Sequence, residues 1–559
     1  METATPMLAQ YQVIKSQHRD CILFFRLGDF YEMFYEDAKV ASQILDLVLT
    51  ARGKGSANPT PMCGIPYHSA EGYIHKLIKA GLKVAICEQL EDPTVAKGIV
   101  KRDVIRVITS GTYLDDNSTD ARYLLCLNFQ ESWIGMALID PTNGTIHTNQ
   151  YQGPSQVIEI ISKLPIQECV FPVSQHDQIK ALFEHPLLRI KNIMMSPHED
   201  WCFNPEIAQK TLSEHFKVHN LSGFGIDGLS TAIACAGGLL EYLRQMNKQP
   251  LRHIDRVSLY TDSEYVYISP AANYGLELEN LFKMINRAPM GTVTAMGKRL
   301  LQYWLYHPLR RPATILQRQA AVRLLKDETE LLKDLRKILS QIPDIEKCLS
   351  KLSCGYCQAK DLLGIRNALT LIPDLQRFLQ SLIDKNRLFT LSDIPNLRAL
   401  LEQAINPDMP LANSEGKVIK KGFHSELDAL RDIQENGRQW LQRFQEQEIR
   451  RSGINSLKVG YNRVFGYYIE ITKTNLALAP QDYIRKQTLA NGERFITQEL
   501  KEYEEKILTA QEKISRIEET LVRQLQEEIL NHSSVLHDFS QAVATIDVLC
   551  SLACLAQQD

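Results

Sequence analysis

The 559-residue sequence has no run of about 18 uncharged apolar residues, so no membrane-spanning helix is expected. Met1 to Lys15 do not pair a basic segment with an apolar one, so no secretory leader is expected either. Charge of neither sign is in excess. The 63 Lys+Arg and 66 Asp+Glu leave a formal charge of −3, which fits neither a globally basic nucleic-acid coat nor an acidic disordered chain. Any basic surface must therefore be local. The 12 cysteines are scattered without a dense framework, so a reduced cytosolic setting is expected. No repeat or low-complexity tract interrupts the chain. No GxxxxGK(S/T) phosphate loop is present: Gly297-Lys298 and Gly416-Lys417 are followed by Arg299 and Val418, neither of which supplies the magnesium-binding hydroxyl.

What is present is ordinary globular composition, 44% apolar and 23% charged, in a chain long enough for about three to five domains. Residues 1 to about 113 alternate short apolar runs, Cys21 to Arg26, Val84 to Cys87 and Val104 to Thr109, with the amphipathic segment Tyr73 to Ala80, which predicts a small α/β domain. Beyond the polar stretch Asp115 to Asp120, the run Trp133 to Asp140, the turn Pro141-Thr142-Asn143-Gly144 and the run Thr145 to Gln150 predict a hairpin opening a second α/β domain. From about residue 271 the pattern is almost wholly helical. Two segments are unusually long, Phe423 to Arg451 and Ile496 to Leu530. The stripe Phe423, Leu427, Leu430 and Ile433 matches one running from Ile496 through Leu500, Tyr503 and Ile514 to Leu525, which predicts antiparallel arms. Between them, Leu457 to Val459 and Tyr467 to Ile471 are β-rich, so a small sheet is expected at the tip. Residues 438 to 497 hold ten Lys/Arg against five Asp/Glu, and here lies the local basic surface.

Gly28-Asp29-Phe30-Tyr31-Glu32 admits two readings. In one, Asp29 caps a helix running through Leu45, Glu32 completes a capping box, and Phe30 joins the core. In the other, Phe30 is an aromatic wedge that unstacks a duplex from the minor groove, at a cost that falls where pairing is already broken. Glu32, repelled by phosphates, then acts as a discriminator: penalised beside a normal pair, but offered a donor by a displaced base or itself protonated. Arg52, Lys54, Lys76, Lys79, Lys83, Lys97, Lys101, Arg102 and Arg106, and at the arm tip Lys458, Asn462, Arg463, Lys473, Arg485 and Lys486, read either as a solvated face or as phosphate contacts. The lone Cys354-Gly355-Tyr356-Cys357 lacks the partners a zinc site needs. Asp140 at a strand end is a candidate first carboxylate of a two-metal nuclease, but no convincing set of acids follows it.

Several separated blocks carry a resemblance: Arg26-Leu27-Gly28-Asp29-Phe30-Tyr31-Glu32; Gly64-Ile65-Pro66-Tyr67-His68 with Val84 to Gln89; Gly223-Phe224-Gly225; Thr294-Ala295-Met296-Gly297 through Trp304 to Arg310; Lys458-Val459-Gly460-Tyr461-Asn462; Gly466-Tyr467-Tyr468-Ile469; Tyr483 to Thr488; and Glu493-Arg494-Phe495. Their order and spacing resemble the bacterial MutS mismatch-recognition family over essentially the whole chain, without that family's C-terminal ATPase. One departure lies at Leu281 to Gly291, which does not read like the stretch expected before the TAMG motif. The resemblance implies a multidomain α/β plus α fold: a mixed α/β mismatch-binding domain (1–114), a ribonuclease H-like connector (115–255), a helical core with a first lever (256–437), a small β-rich clamp (438–497), and a second lever returning to the core (498–559).

It further implies that Phe30 stacks on a mispaired base while Glu32 hydrogen-bonds to it, and that Arg102, Lys458, Asn462, Arg463, Arg485 and Lys486 are DNA-backbone candidates. The expected ligand is double-stranded DNA with mismatches or small insertion/deletion loops. A homodimer and a MutL-type effector are expected of the full-length protein, in the bacterial cytoplasm at the nucleoid. No catalytic residue, metal or cofactor is expected in this chain; ATP and Mg belong to full-length family members. The competing readings are a helical scaffold that binds protein partners through its arms, and a metal-dependent nuclease centred on Asp140.

Overall fold

The computed structural model describes residues 5–53, 59–91, 98–116, 118–189, 191–261, 264–287, 289–409, 417–462, 466–489 and 491–558. The chain divides into two bodies, one formed by residues 1–394 with 530–559 and the other by residues 395–529.

The first body opens with helix α1 (Pro6–Gln17) and a six-stranded sheet built from β1 (Cys21–Leu27), β2 (Phe30–Phe34), β3 (Thr50–Arg52), β4 (Thr60–Pro66), β5 (Lys83–Gln89) and β6 (Arg102–Ile108), in the order β3-β4-β2-β1-β5-β6. The apolar run Cys21 to Phe25 is central because it is buried on both faces: β1 runs parallel to β5 and antiparallel to β2. Ile22, Phe24, Tyr31 and Met33 pack towards α2 (Tyr35–Leu45) and α3 (Ala70–Lys79), whereas Leu23, Phe25 and Phe34 pack towards α1.

The helix-cap reading of Asp29 is corrected here. Gly28, at a φ of 57°, turns β1 back into β2, and residues 30–34 form a strand; α2 starts only at Tyr35 and has no side-chain cap at its N-terminus. The alternation in Phe-Tyr-Glu-Met-Phe satisfies ladders to β1 on one side and β4 on the other, which a helix beginning at Asp29 would forgo. Phe30 is not in the core either, being 47% exposed.

A second six-stranded sheet follows, from β7 (Tyr123–Gln130), β8 (Trp133–Ile139), β9 (Thr145–Gln152), β10 (Ile166–Pro172), β11 (Met194–His198) and β12 (Arg256–Leu259), in the order β11-β10-β7-β8-β9-β12. The expected hairpin is β8–β9, closed by residues 140–144. The Asp140 carboxylate accepts from Thr142 N and Oγ1 at 2.9 and 2.6 Å, and at Gly144 a Cβ would lie 2.1 Å from the His253 carbonyl oxygen. Helices α4 (Ser155–Lys163), α5 (His176–Phe183) and α6 (Pro205–Phe216) cover the sheet together with α7 (Ser230–Asn247). Gly237 and Gly238 let α7 lie close against Ala208 of α6 and Phe203, and Gly135 of β8 lets it approach the sheet at Thr231.

The helical part of this body comprises α8 (Pro270–Gly275), α9 (Leu278–Ile285), α10 (Ala295–Tyr306), α11 (Pro312–Asp327), α12 (Thr329–Leu339), α13 (Ile345–Ser353), α14 (Ala359–Thr370) and α15 (Ile372–Ile383). The second body consists of α16 (Pro395–Ala404), α17 (Ser425–Ser452), the sheet strands β13 (Lys458–Asn462), β14 (Gly466–Thr472), β15 (Ile484–Thr488) and β16 (Gly492–Ile496), and α18 (Gln498–Asn531). Helix α19 (Ser533–Ala556) then returns to the first body.

Among the described residues α19 is the one helix long and apolar enough to cross a membrane, but most of its apolar residues are buried, and it packs against α10, α11, α12 and α13. Asp547 interrupts its apolar run and explains the Thr-Ala-Met-Gly motif. The buried carboxylate accepts from Val293 N (3.0 Å), Thr294 N (2.7 Å) and Thr294 Oγ1 (2.7 Å). Thr294 Oγ1 in turn accepts from Gly297 N at 2.9 Å, capping α10. The divergent stretch before the motif is still anchored: Leu278 and Phe282 are buried, and Asn286 Oδ1 accepts from Thr292 N and Oγ1 at 2.9 and 2.8 Å.

In the second body the arms are as long as expected, 28 residues in α17 and 34 in α18, or about 42 and 51 Å. Arg431 pairs with Glu518 at 3.2 Å, Gln434 donates to Gln511 at 2.5 Å, and Trp440 stacks on Tyr503 at 3.7 Å, so numbers rise along one helix as they fall along the other. The apolar stripe is narrower than the sequence suggests. Leu427 is buried but Ile433 is 46% exposed, and the seam is held in part by buried Glu518, which accepts from Val418 N and Ile419 N at 2.6 and 3.0 Å.

A Cβ on Gly297 would fall 2.2 Å from Asp547 Oδ2. Gly297→Ala is expected to destabilise the chain by about 1–3 kcal/mol, measured by urea denaturation, through displacement of the carboxylate and loss of its donors.

Candidate nucleic-acid interface

Two surfaces collect the residues singled out above, one in each body. In the first, Phe30, Glu32 and Phe34 point to the side of the sheet that α1 covers. Phe34 lies under α1, with Tyr11 edge-on at 5.1 Å, while Phe30, at the other end of β2, is left open to solvent. The strand partners of Phe30 are Leu27 and Pro66. The Tyr67 amide N donates to Asp29 O at 3.0 Å, and the Arg26 guanidinium lies 3.6 Å from the centroid of the Tyr67 ring, so the hairpin tip is braced from the adjoining strand. Tyr31, on the opposite face, hydrogen-bonds to Glu88, which also pairs with Arg26 at 3.5 Å. The wedge candidate thus stands on a stiff support.

Glu32 sits one turn of the pleat further in, opposite Phe25 and Gly64, with its side chain 19% exposed. Burial pushes its carboxyl above the ordinary glutamate range, and Arg52, at 3.4 Å, pulls it back. The arrangement is an aromatic ring at the surface beside a half-desolvated carboxylate on the same face.

Arg102 is largely engaged within the protein. It is 8% exposed and donates to Arg26 O at 2.8 Å, to Gln10 Oε1 at 3.1 Å and to Val100 O at 2.9 Å, with its guanidinium carbon 5.1 Å from the Phe25 ring centroid. Its position at the start of β6 places it over the sheet, so through Nε and Nη1 it ties β6 to α1 and to the hairpin strand. Arg106 is likewise buried, 3.6 Å from the Tyr356 ring centroid. Lys54 and Lys97 lie outside the described residues.

In the second body the strand order is β13-β14-β16-β15. Val459, Ile469, Ile471 and Phe495 pack with Phe444 and Leu500 into a small core. The other face carries the row Lys458, Glu470, Arg494 and Gln487, brought side by side by the register. Tyr468 lies over Gly460, where a Cβ would come within 2.9 Å of its ring, and Arg494 stacks on Tyr468 at 4.1 Å while pairing with Glu470 at 3.2 Å. Lys458, Lys473 and Lys486 are exposed, and Arg485 is exposed but paired with Glu493 at 3.4 Å. Asn462 is half-buried at the end of β13; Arg463 lies outside the described residues. The surface is therefore basic and polar with one central aromatic, a composition suited to backbone phosphates and sugars.

The other motifs lead elsewhere. Asp140 is buried at the end of β8, its carboxyl pushed up by burial and partly restored by Arg299 and Thr142. Arg299 is itself clamped bidentately by Asp344 and bonded to Glu346, so the acids nearest Asp140 hold a guanidinium. Burial pushes the Cys354 thiol up to about 11 and raises Cys357 as well, the reverse of a reactive pair. Among the described residues no group of three or more His, Cys, Asp or Glu is arranged to hold a metal ion. Sequence reasoning missed Arg52 as the partner of Glu32. Thr50-Ala51-Arg52 is a short edge strand with no periodicity of its own, and only the sheet order brings it near.

An α/β sheet bearing an exposed aromatic and a carboxylate, a second α/β sheet, a helical core and a basic sheet between long paired helices define a multidomain protein of mixed α/β and helical class. Family models match in the same order: MutS domain I over residues 5–117, MutS domain II over 122–255 and MutS domain III over 271–553. Curated relatives agree. The DNA mismatch repair protein MutS of Alkaliphilus oremlandii is 38% identical over 574 residues, covering 100% of this chain and 65% of its own length. That of Symbiobacterium thermophilum is 40% identical over 567 residues, covering 98% and 64%, and that of Lachnoclostridium phytofermentans 38% over 572 residues, covering 100% and 61%. The chain belongs to the MutS family, and it spans just under two thirds of the length of these relatives.

Arg102→Met is expected to destabilise the first body by about 1–3 kcal/mol in chemical denaturation, because three acceptors lose their donor. A surface phosphate contact would leave the unfolding midpoint unchanged.

Proposed function

We infer that this chain binds double-stranded DNA and recognises mispaired or unpaired bases, as the DNA-reading part of mismatch repair. The observation that carries the reading is the exposed Phe30 two residues from half-buried Glu32 on the open face of a sheet, in a chain of the MutS family. An aromatic edge presented on a rigid hairpin can enter a weakened base step, where a mismatch has already met part of the unstacking cost. Glu32 then supplies discrimination. Its carboxylate is unwelcome near the phosphates of a regular duplex but finds a donor on a displaced base.

The basic sheet contributes affinity without sequence preference, through Lys458, Asn462, Arg463, Arg485 and Lys486. In this reading residues 1–114 read the mismatch, 115–255 form a ribonuclease H-like connector, 256–437 and 498–559 supply core and levers, and 438–497 form the clamp. Family membership weighs against the scaffold alternative, since long paired helices are here accounted for as carriers of a basic sheet. The reading extends to a homodimer and a MutL-type effector in the bacterial cytoplasm for the full-length protein. ATP and Mg would belong to full-length members of the family.

The test is fluorescence anisotropy with a perfect duplex and one carrying a G·T mismatch or an unpaired T, over a salt series. The wild type is expected to prefer the defect at every salt concentration. Phe30→Ala is expected to abolish the preference while retaining salt-sensitive binding; a variant that discriminates as well as wild type would refute the wedge. Replacing Lys458 and Lys486 together by Ala should weaken binding to both duplexes alike and reduce the log–log salt slope by about 2.

A further inference from the structure

Glu32 does not meet its cation along a direct cross-strand pair. Its neighbour on β4 is Gly64, and β3 lies beyond, with Arg52 opposite Thr60. Two strand spacings separate β2 from β3, about 10 Å of backbone. The Glu32 carboxylate nevertheless comes within 3.4 Å of Arg52 Nη1. It does so by leaning across Gly64, where a Cβ would sit 3.5 Å from Glu32 Cγ and 3.4 Å from Tyr31 O. The glycine leaves a gap in the sheet surface, and the ion pair bridges it on the face that presents Phe30.

The other groups on this face do not compete for the carboxylate. On β1 the neighbours are Phe25 and Leu27; on β4 they are Met62, Gly64 and Pro66; on β3, Thr50 and Arg52. Helix α1 brings Tyr11 and Lys15, both engaged with Asp37. Arg102 is turned over Phe25 and committed to Arg26, Gln10 and Val100. Arg26 and Glu88 belong with Tyr31 on the opposite face. Among the described residues Arg52 is thus the one cation placed to answer Glu32.

We propose that Arg52 is a positioning and specificity-determining residue: it fixes the Glu32 carboxylate across the Gly64 gap and sets the charge that this carboxylate presents to a duplex. The proposal rests on the mismatch-binding reading and deepens it. Glu32 penalises a regular duplex only while it is ionised. Burial opposes ionisation and Arg52 supports it, so the balance between them decides at which pH discrimination operates. Removing Arg52 leaves burial unopposed. Glu32 then keeps its proton to higher pH, loses its repulsion towards phosphates, and gains an O–H that can donate to any base edge. The sign follows directly: discrimination falls as pH drops through the Glu32 titration, and the fall comes at higher pH without Arg52.

The experiment compares wild type, Arg52→Gln, Arg52→Lys and Glu32→Gln for binding to perfect and G·T-mismatched duplexes over a pH series that spans the Glu32 titration. Arg52→Gln is expected to cut the mismatch preference several-fold as pH falls towards its Glu32 midpoint, by binding the perfect duplex relatively better, with that midpoint lying above the wild type's. Arg52→Lys should restore both the preference and the midpoint, and Glu32→Gln should show no midpoint. A DNA-free readout accompanies this: 13C NMR of protein labelled at glutamate carboxyls, with the Glu32 signal identified by its loss in Glu32→Gln, should titrate at higher pH in Arg52→Gln. Equal weakening of both duplexes with an unmoved NMR midpoint would make Arg52 an ordinary phosphate contact and overturn the proposal while leaving the mismatch reading intact. A wild type indifferent to the mismatch would overturn both.

Discussion

The buried carboxylate of Asp547 is the contact on which the rest of this architecture depends. Taking a carboxylate out of water is costly unless donors replace the lost hydration, and here two backbone amides and the Thr294 hydroxyl do so. Burial still drives its carboxyl above the ordinary aspartate range, so the donors offset only part of the cost. In return the last helix of the chain is fixed in register against the start of α10, some 250 residues earlier. The chain leaves the first body after Ile394 and re-enters it at Leu530. The packing of α19 against α10, α11, α12 and α13 closes the excursion of arms and sheet, and the Asp547 anchor adds a fixed register to it. The same anchor dictates Gly297, because nothing larger fits beside the carboxylate.

Incomplete coverage, rather than any unusual backbone, creates the candidate reading surface. One face of the first sheet is sealed by α2 and α3. The other is sealed by α1 only as far as Phe34, so the outer end of β2 holds Phe30 and Glu32 at the edge of burial. Two arginines near this boundary meet opposite fates. Arg102 lies under the covered part with its Nε and Nη1 donating within the protein, whereas Arg52, at the open edge, is 46% exposed and has the Glu32 carboxylate within reach. Residue type did not separate them; depth did.

Much of this was legible beforehand because it rests on short-range periodicity. The apolar run at Cys21 to Phe25, the Pro141 to Gly144 turn and the two long helical stripes each depend on neighbours a few residues apart. The excess of Lys and Arg between 438 and 497 needed only counting. The misreadings share a cause. Asp29 followed by Glu32 satisfies a capping box on paper, but two flanking strands offered segment 30–34 a complete set of hydrogen bonds, and pairing across the sheet outweighed the local signal. Spacing places Ile433 in the seam, whereas part of the seam is a charged contact between Arg431 and Glu518 that no hydrophobic pattern announces.

Sequence by itself determined the order of the α/β, helical and β-rich segments, the family, the wedge and discriminator candidates and the location of the basic sheet, because these follow from local pattern or from motifs close together in the chain. Only the tertiary structure decided which charges face solvent and which are bound inward, that Asp547 explains the Thr-Ala-Met-Gly motif, and that Arg52 meets Glu32 across Gly64. Those are contacts between residues from 20 to about 250 positions apart. Their existence depends on sheet order and helix return, which are set by the summed burial of the whole body and not by any segment alone.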